Sequence, residues 1–192
     1  MPQWTPLKRD TLDSLADEFL HNYSKGRTLL AVDGAAAAGT KQFADDLAER
    51  LGRGGHAVFR ASLGDFQRPL ENRIGDDYRW LYDYDLFRRV LVEPFKMAGS
   101  TGFVLEAWDA ARDQPYEMDW KTGPADATLI VDGEFLNRPE LRGLWNWSIW
   151  LEVPGVRVDD AYFAEAKPRT RASAIVDNTD PEHPRRSFAD SC

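Results

Sequence analysis

The residues best suited to bind a charged ligand lie in one short stretch that begins at Gly34. Gly34 and Gly39 are separated by four alanines, and Thr40 and Lys41 follow directly. In the phosphate-binding loop pattern, glycines at this spacing precede a lysine and then a serine or threonine, and the amides of the turn cradle phosphate oxygens. The glycine spacing matches, but the last two residues stand in reverse order. The stretch therefore predicts an anion-binding turn built from Gly34, Ala38, Gly39, Thr40 and Lys41.

The reversed order changes which group reaches the ligand. One position along a helix corresponds to a rotation of about 100°, so Lys41 is expected to point away from where a lysine at position 40 would point. Thr40 offers a hydroxyl without charge, and Lys41 brings a cation to the place where Mg²⁺ is usually held. The amides and the helix dipole are unaffected.

Three interpretations follow from this loop. In the first, Lys41 substitutes for the displaced lysine, and ATP with Mg²⁺ supports phosphoryl transfer. In the second, the loop binds a nucleotide, or only a phosphate or sulfate anion, and transfers nothing. In the third, the alanines (Ala35 to Ala38) pack as a closed turn that holds no ligand.

Carboxylates follow two of the predicted strands. Asp65 lies in a polar loop after the alternating stretch 56–62, at a position typical of an acceptor site in open α/β sheets. Asp132 and Glu134 follow the apolar run 127–131, where a carboxylate often organises a metal ion or its waters. Asp65 is thus a candidate catalytic residue together with Lys41, and Asp132 and Glu134 are candidate metal ligands. A plain surface turn is the more common role of a lone aspartate such as Asp65, and Asp-Gly is the commonest turn dipeptide, so only the preceding loop motif favours a functional role for these carboxylates.

The elements that position these residues alternate between helices and strands. Hydrophobic periodicity and stop signals predict helices at 6–23, 43–51, 83–95, 137–145 and 158–167, and strands at 27–32, 56–62, 101–108, 127–131, 147–153 and 174–176. This order predicts an α/β fold in three layers, with a parallel sheet flanked by helices. We expect residues 1–192 to form a single domain, with 1–26 as an N-terminal helix and 177–192 as a polar tail.

Composition narrows the classes of partner. The chain has 192 residues, of which 43% are hydrophobic, and a net charge of −8, which argues against nucleic acid and anionic membranes and favours a small-molecule ligand. Cys192 is the only cysteine, so an intrachain disulfide is impossible and a reducing compartment fits. No stretch has the pattern of a signal peptide or a membrane span. We expect a cytoplasmic protein, and the sequence is compatible with a homo-oligomer.

The order of motifs resembles the uridine kinase-like branch of the P-loop kinases. The resemblance rests on 31–34 (Ala-Val-Asp-Gly), 43–51 (Phe-Ala-Asp-Asp-Leu-Ala-Glu-Arg-Leu), 62–69 (Ser-Leu-Gly-Asp-Phe-Gln-Arg-Pro), 132–141 (Asp-Gly-Glu-Phe-Leu-Asn-Arg-Pro-Glu-Leu) and 177–181 (Asp-Asn-Thr-Asp-Pro). It implies a P-loop NTPase fold and an ATP-dependent, Mg²⁺-dependent phosphotransferase that acts on a hydroxyl of a nucleoside or similar small molecule. It also implies a phosphate-loop lysine, an acceptor-activating aspartate and arginines on a mobile lid.

Three of these implied parts are altered. The phosphate-loop lysine of the family falls on Thr40, and the metal-binding hydroxyl falls on Lys41. The acceptor-activating aspartate falls on Gly64, and Asp65 stands one position late. The lid falls on the short segment 154–160, which contains one arginine. Since a missing arginine alone costs about 10³ to 10⁵ in rate, the alternative to a working kinase is an inactive relative that binds a nucleotide, a phosphorylated ligand or a protein partner.

Overall fold

The sheet is organised around β1 (Arg27–Asp33), the strand that leads into the glycine-bounded loop. The computed structural model describes residues 4–75 and 77–188. Six strands form the sheet in the order β10-β9-β8-β1-β7-β2, and all neighbours pair in parallel except β10 and β9. The predicted α/β fold with a parallel sheet flanked by helices is confirmed.

The bounds of the elements agree with the prediction over most of the chain. The helices are α1 (Pro6–Tyr23), α2 (Thr40–Gly52), α3 (Tyr84–Phe87), α4 (Glu93–Met97), α5 (Pro139–Arg142), α6 (Asp160–Ala166) and α7 (Pro168–Arg171). The strands of the main sheet after β1 are β2 (Ala57–Ser62), β7 (Ala127–Gly133), β8 (Trp147–Glu152), β9 (Ala174–Asp177) and β10 (Arg185–Ser187). The short strands outside it are β3 (Phe103–Val104), β4 (Trp108–Asp109), β5 (Gln114–Pro115) and β6 (Trp120–Lys121).

Side chains of β1 alternate between two hydrophobic layers. Leu30 and Val32 pack with the buried faces of α1 and α2, whereas Leu29 and Ala31 pack on the opposite face of the sheet with α3, α4 and α6. Successive residues of a strand point to opposite faces, so an apolar run without alternation is what a strand covered on both sides requires. Because β1, β7 and β2 pair in parallel, their carboxyl ends lie side by side at one edge of the sheet.

The connection between β2 and β7 differs from the prediction. The apolar stretch 101–108 predicts one strand, but in the structure β3 covers only Phe103–Val104 and β4 begins at Trp108, and they pair antiparallel with β6 and β5 respectively. Neither pair joins the main sheet. The apolar residues Phe103 and Val104 still pack into the core. The apolar pattern therefore predicted the burial of this stretch correctly, but the expected strand of the main sheet was wrong.

The helix predicted at 83–95 is interrupted by a wider turn. A π-helical segment, Arg88–Val92, connects α3 to α4, and the amide of Glu93 donates to the carbonyl of Arg88, five residues earlier. Pro94 follows immediately. Proline lacks an amide donor and its ring crowds the carbonyl four residues before it, so the widened turn relieves that contact.

The segment predicted as a polar tail carries a strand. β10 covers the outer edge of β9, whose backbone groups would otherwise be unpaired. α1 holds the same segment, because the Thr11 hydroxyl donates to the carbonyl of Pro184 at 2.8 Å and Arg186 forms an ion pair with Glu18. Cys192 lies outside the described residues. Across residues 4–75 and 77–188, no helix has the length and apolar character needed to traverse a bilayer.

Candidate functional site

The glycine-bounded loop has a tightly turned backbone. Ala35 is extended, Ala36–Ala38 form a 3₁₀ turn, and Gly39 adopts a left-handed conformation with φ of 81° before α2 begins. The amide of Ala38 donates to the carbonyl of Ala35 at 2.8 Å. Ala36 and Ala37 are exposed. The amides of Ala38 and Gly39 are thus bonded within the turn, and the exposed Ala36 and Ala37 form its outer surface just before α2, a helix of 13 residues.

Neighbouring elements explain why both glycines are needed. A β-carbon on Gly34 would lie 2.6 Å from the carbonyl oxygen of Leu151 on β8, so no side chain fits there. A β-carbon on Gly39 would lie 3.1 Å from Nδ2 of Asn178. The buried Asn178 amide donates to the carbonyl of Ala38 at 2.8 Å and thereby holds the turn in place. Sequence reasoning did not assign Asn178 to the site, although it lies in the motif 177–181.

A carboxylate already lies on the loop. Oε1 of Glu134, just past β7, accepts a hydrogen bond from the amide of Ala36 at 3.1 Å. Because a carboxylate oxygen is an anionic acceptor, this contact shows that the amide is oriented to donate to an anion. Glu134 was predicted as a metal ligand; in this structure its Oε1 accepts from the Ala36 amide, and its role as a ligand stays a prediction.

Thr40 and Lys41 occupy different environments. Thr40 is 4% exposed, and its methyl group packs under the loop beside Gly34. Lys41 is exposed, and its positive charge acts on Asp65. The uncharged side chain therefore lies beneath the cradle, while the ammonium lies on the side of the carboxylates.

Asp65 lies in the 3₁₀ turn that follows β2. Partial burial raises the pKa of its carboxyl to about 6, and the negative charges of Glu106 and Asp132 act in the same direction. The positive charges of Lys41 and Arg60 oppose that shift. The positive charge of Lys41 thus acts on Asp65 without an ion pair between them in the described residues, and the catalytic roles of both residues stay predictions.

Asp132 is held by protein partners on both carboxylate oxygens. Nη2 of Arg60 donates to Oδ1 at 2.6 Å, and the Ser62 hydroxyl donates to Oδ2 at 3.2 Å. Arg60 also bonds the carbonyl of Ile130 at 2.9 Å and Oδ1 of Asp45 at 2.9 Å. Sequence reasoning did not identify Arg60, although a charged residue in the alternating strand 56–62 was a visible signal.

These side chains do not fit a magnesium ion as they are placed. Mg²⁺ needs carboxylate or hydroxyl oxygens that are free to bind it. The Asp132 carboxylate is instead paired with the guanidinium of Arg60. Lys41 stands at the position where the family resemblance implies a hydroxyl. Within 4–75 and 77–188, no group of three or more His, Cys, Asp or Glu side chains is placed to hold a metal. The assignment of Asp132 and Glu134 as metal ligands stays a prediction without geometric support.

A buried aspartate, Asp33, directly precedes the loop. Asp33, the last residue of β1, is fully buried and accepts hydrogen bonds from the Tyr162 hydroxyl, from the side chain of Asn137 at 2.7 Å and from the Leu136 and Asn137 amides. Burial raises the pKa of Asp33 to about 6, although these four donors favour the ionised form. The network links β1, the turn after β7 and α6. A carboxylate that ends an otherwise apolar strand was the available sequence signal.

The segment to which the resemblance assigned a lid is short. It runs from 153 to 159, between β8 and α6, and contains Arg157. The Arg157 side chain is 77% exposed and pairs with Asp160 at 2.5 Å. This arginine lies on the surface and contacts neither the loop nor Asp65 in the structure.

Solved structures share this fold. A possible uridine kinase from Bacillus stearothermophilus is 21% identical with a TM-score of 0.75, and the match covers 87% of this chain and 97% of that one. A candidate fructose transport system kinase from Silicibacter sp. TM1040 is 21% identical with a TM-score of 0.60, over 83% and 78% of the two chains. The YGR205w protein is 14% identical with a TM-score of 0.55.

The structural likeness establishes the fold. The resemblance to uridine kinase-like and related P-loop kinases is confirmed at this level, since the neighbours span most of the chain at low sequence identity. No protein-family model and no curated protein matches the sequence.

Proposed function

We propose that this P-loop kinase-like chain binds the phosphate group of a nucleotide or a similar phosphorylated small molecule at its glycine-bounded loop, without efficient phosphoryl transfer. The contact between Glu134 and the Ala36 amide carries the proposal, because an anionic oxygen already occupies one donor of the cradle. A phosphate oxygen would replace that carboxylate. The first amides of α2 are the further donors that we expect a phosphate to use, because the first turn of a helix leaves its amides without intrahelical partners.

Weak transfer follows from the side chains around the loop. Phosphoryl transfer relies on positioned positive charge at the transferred group and on a group that orients the acceptor. Thr40 is uncharged and buried, Gly64 has no side chain to orient an acceptor, and Arg157 is turned to the surface. Each change lowers the stabilisation of the transition state and leaves the backbone donors intact.

The positive charges near the loop support binding without a metal. Arg60 neutralises Asp132 through a contact of 2.6 Å, and Lys41 lies on the same side of the site. A divalent cation would have to displace Arg60 from Asp132 before that carboxylate could bind it. We therefore expect that the affinity for ATP is unchanged or lowered when Mg²⁺ is added.

Titration calorimetry with ATP, with and without Mg²⁺, tests the proposal. Ala36→Pro removes one amide donor and should weaken ATP binding about tenfold, in line with the loss of one hydrogen bond to a charged group. Glu134→Gln removes the competing negative charge and should strengthen binding. Absence of binding heat in both the parent chain and Glu134→Gln would refute the proposal.

A charge-order swap tests the inferred loss of transfer. Thr40→Lys combined with Lys41→Thr restores the order of the phosphate-binding loop pattern and should raise affinity for ATP. The expected rise depends on an intact cradle. If the swap leaves the affinity unchanged while the parent chain binds ATP, the ammonium of Lys41 already reaches the phosphates and the inferred displacement is incorrect.

A second candidate function is a working phosphotransferase that uses Asp65 and Lys41. The raised pKa of Asp65, about 6, favours it, because such a carboxyl can accept a proton from a hydroxyl near neutral pH. This function requires ATP consumption in the presence of an acceptor such as a nucleoside. Loss of that turnover in both Asp65→Asn and Lys41→Ala, with folding retained, would establish it over the binding function.

A further inference from the structure

A second pocket lies apart from the phosphate loop and is lined by four arginines. Arg68, Arg79, Arg88 and Arg138 line it together with Trp80 and Tyr84. None of the loop residues or site carboxylates discussed above contributes to its wall. Two carboxylates, Asp85 and Glu140, line it as well, so the charge that is left for a ligand depends on which arginines they and their neighbours neutralise.

Arg138 is the innermost of the four. Its side chain is 9% exposed, and its guanidinium carbon lies 4.0 Å from the ring centroid of Tyr84. Nε donates to Glu140 at 2.8 Å, but the buried Nη1 has no hydrogen-bond partner among the residues that the structure describes. A buried donor without an acceptor is unfavourable.

Arg68 provides a second guanidinium with spare donors. Its Nε donates to the carbonyl of Tyr82 at 3.1 Å, and the guanidinium carbon lies 5.5 Å from the ring centroid of Trp80. Within the described parts of the chain, no carboxylate lies at ion-pair distance from Arg68. The Trp80 ring is 41% exposed, so a flat surface borders this charge.

Carboxylates compensate the other two arginines. Arg79 pairs with Asp77 and Glu165, and Arg88 pairs with Glu93. Asp85 and Glu140 also line the pocket. Arg138 also pairs with Glu140, so Arg68 is the lining arginine without a carboxylate partner among the described residues, which limits the ligand to a small anion rather than an extended polyanion.

We propose that this pocket binds a small phosphate monoester that carries a planar ring. The phosphate oxygens would accept from Arg68 and from the guanidinium of Arg138, which also lines the pocket, since guanidinium groups match the geometry of phosphate. The ring would stack on the exposed face of Trp80, as planar rings do on tryptophan. The pocket is independent of the phosphate loop and of the function proposed for it.

Phenyl phosphate and inorganic phosphate are suitable probes, because only the first carries a ring. Calorimetric titration of the full chain should show binding of phenyl phosphate. Arg138→Gln is the most direct variant, but Arg138 is buried and its loss can disturb folding. Arg68→Gln and Trp80→Ala alter more exposed side chains and carry the test, and Arg89→Gln, on the same helical segment as Arg88, is the matched control.

The variants separate the two sites. Arg68→Gln should weaken phenyl phosphate binding about tenfold, and Trp80→Ala should weaken phenyl phosphate but not inorganic phosphate. Arg89→Gln should leave the affinity unchanged. Ala36→Pro should leave unchanged the binding of phenyl phosphate that Arg68→Gln and Trp80→Ala weaken. The proposal is overturned if phenyl phosphate does not bind, if Arg68→Gln and Trp80→Ala leave its affinity unaltered, or if only Ala36→Pro reduces it.

Discussion

The phosphate loop and the carboxylate side of the site differ in the groups that provide their chemistry. The carboxylate side is the region of Asp65 and Asp132, at the ends of β2 and β7. The loop offers backbone amides, shaped by Gly34, Gly39 and the contact from Asn178. The carboxylate side depends on side chains, and there Asp132 is neutralised by Arg60. The loop is defined by its backbone, whereas the carboxylate side is defined by an ion pair between two side chains.

This difference shows which parts of a binding site tolerate substitution. An amide donor belongs to every residue except proline, so exchanging Thr40 and Lys41 leaves the donors of the loop in place. A carboxylate or an ammonium acts through its own charge and position, so one exchange changes what the region can bind. The proposed binding of an anion therefore depends on the backbone of the loop and would not require the side chains of a metal site.

The largest expected effect is on the carboxylate side. Arg60→Gln would leave Asp132, whose side chain is 4% exposed, without its cationic partner. Breaking a buried pair in this way costs about 4 kcal/mol in the free energy of unfolding, which denaturant titration measures. The freed carboxylate should also allow Mg²⁺ to raise the melting temperature of the variant but not of the parent chain. An unchanged free energy of unfolding would mean that Arg60 does not neutralise Asp132.

Asp33 connects the two regions and should make stability dependent on pH. Its pKa of about 6 in the folded chain lies above the ordinary 3.8, so the folded state binds the proton more tightly than the unfolded state does. The contribution of Asp33 is therefore most favourable below pH 4 and is lost as the pH rises through 6.

The comparison with Asp33→Asn isolates that contribution. Between pH 4 and pH 7, the parent chain should lose about 3 kcal/mol of unfolding free energy relative to the variant. Asp65, whose pKa is also raised, titrates in both chains and cancels in the difference. A difference that stays constant with pH would show that Asp33 does not change protonation in this range.

A smaller effect is expected in the loop. Gly34→Ala places a methyl group 2.6 Å from the carbonyl oxygen of Leu151 and should cost about 2 kcal/mol in the free energy of unfolding, together with affinity for ATP. Gly52→Ala is the control, since a β-carbon at Gly52 meets no atom within 4 Å. Equal stabilities of the two variants would contradict the close approach of β8 to the loop.

The smallest effect concerns the charge of Lys41. Its ammonium lowers the pKa of Asp65, so Lys41→Ala should raise that pKa further. Titration of the Asp65 carboxyl by NMR measures the change, and Lys25→Ala, a lysine paired with Asp126 elsewhere, should leave it unaltered. An unchanged pKa in Lys41→Ala would place the ammonium away from the carboxylate side.

Much of the fold could be predicted from local patterns. The alternation of helical and strand periodicity indicated the parallel strands, and the apolar run 127–131 indicated a strand covered on both faces. The strands β3 and β4 were not predicted correctly, because pairing outside the main sheet depends on contacts with β5 and β6 that no local pattern specifies. β10 was missed for the same reason, since an antiparallel edge strand is defined by its partner.

The candidate site was predicted in outline only. The glycine spacing located the loop, and the strand ends located Asp65, Asp132 and Glu134 in the same region. Sequence spacing could not show that Arg60 neutralises Asp132 or that Glu134 bonds the Ala36 amide, because both contacts join segments far apart in the chain. Long-range pairing thus decides whether a carboxylate at a strand end is free for a cation.

The bonds between α1 and the segment around β10 bear on how the chain folds. The Thr11 hydroxyl and the carbonyl of Pro184 are 173 positions apart, so bringing them together requires closing almost the whole chain. Contacts of such long sequence separation form late and slow the search for the native state. The outer edge of the sheet should consequently be the last part to gain protection in a pulse-labelling hydrogen-exchange experiment, after β1 and β7 have joined.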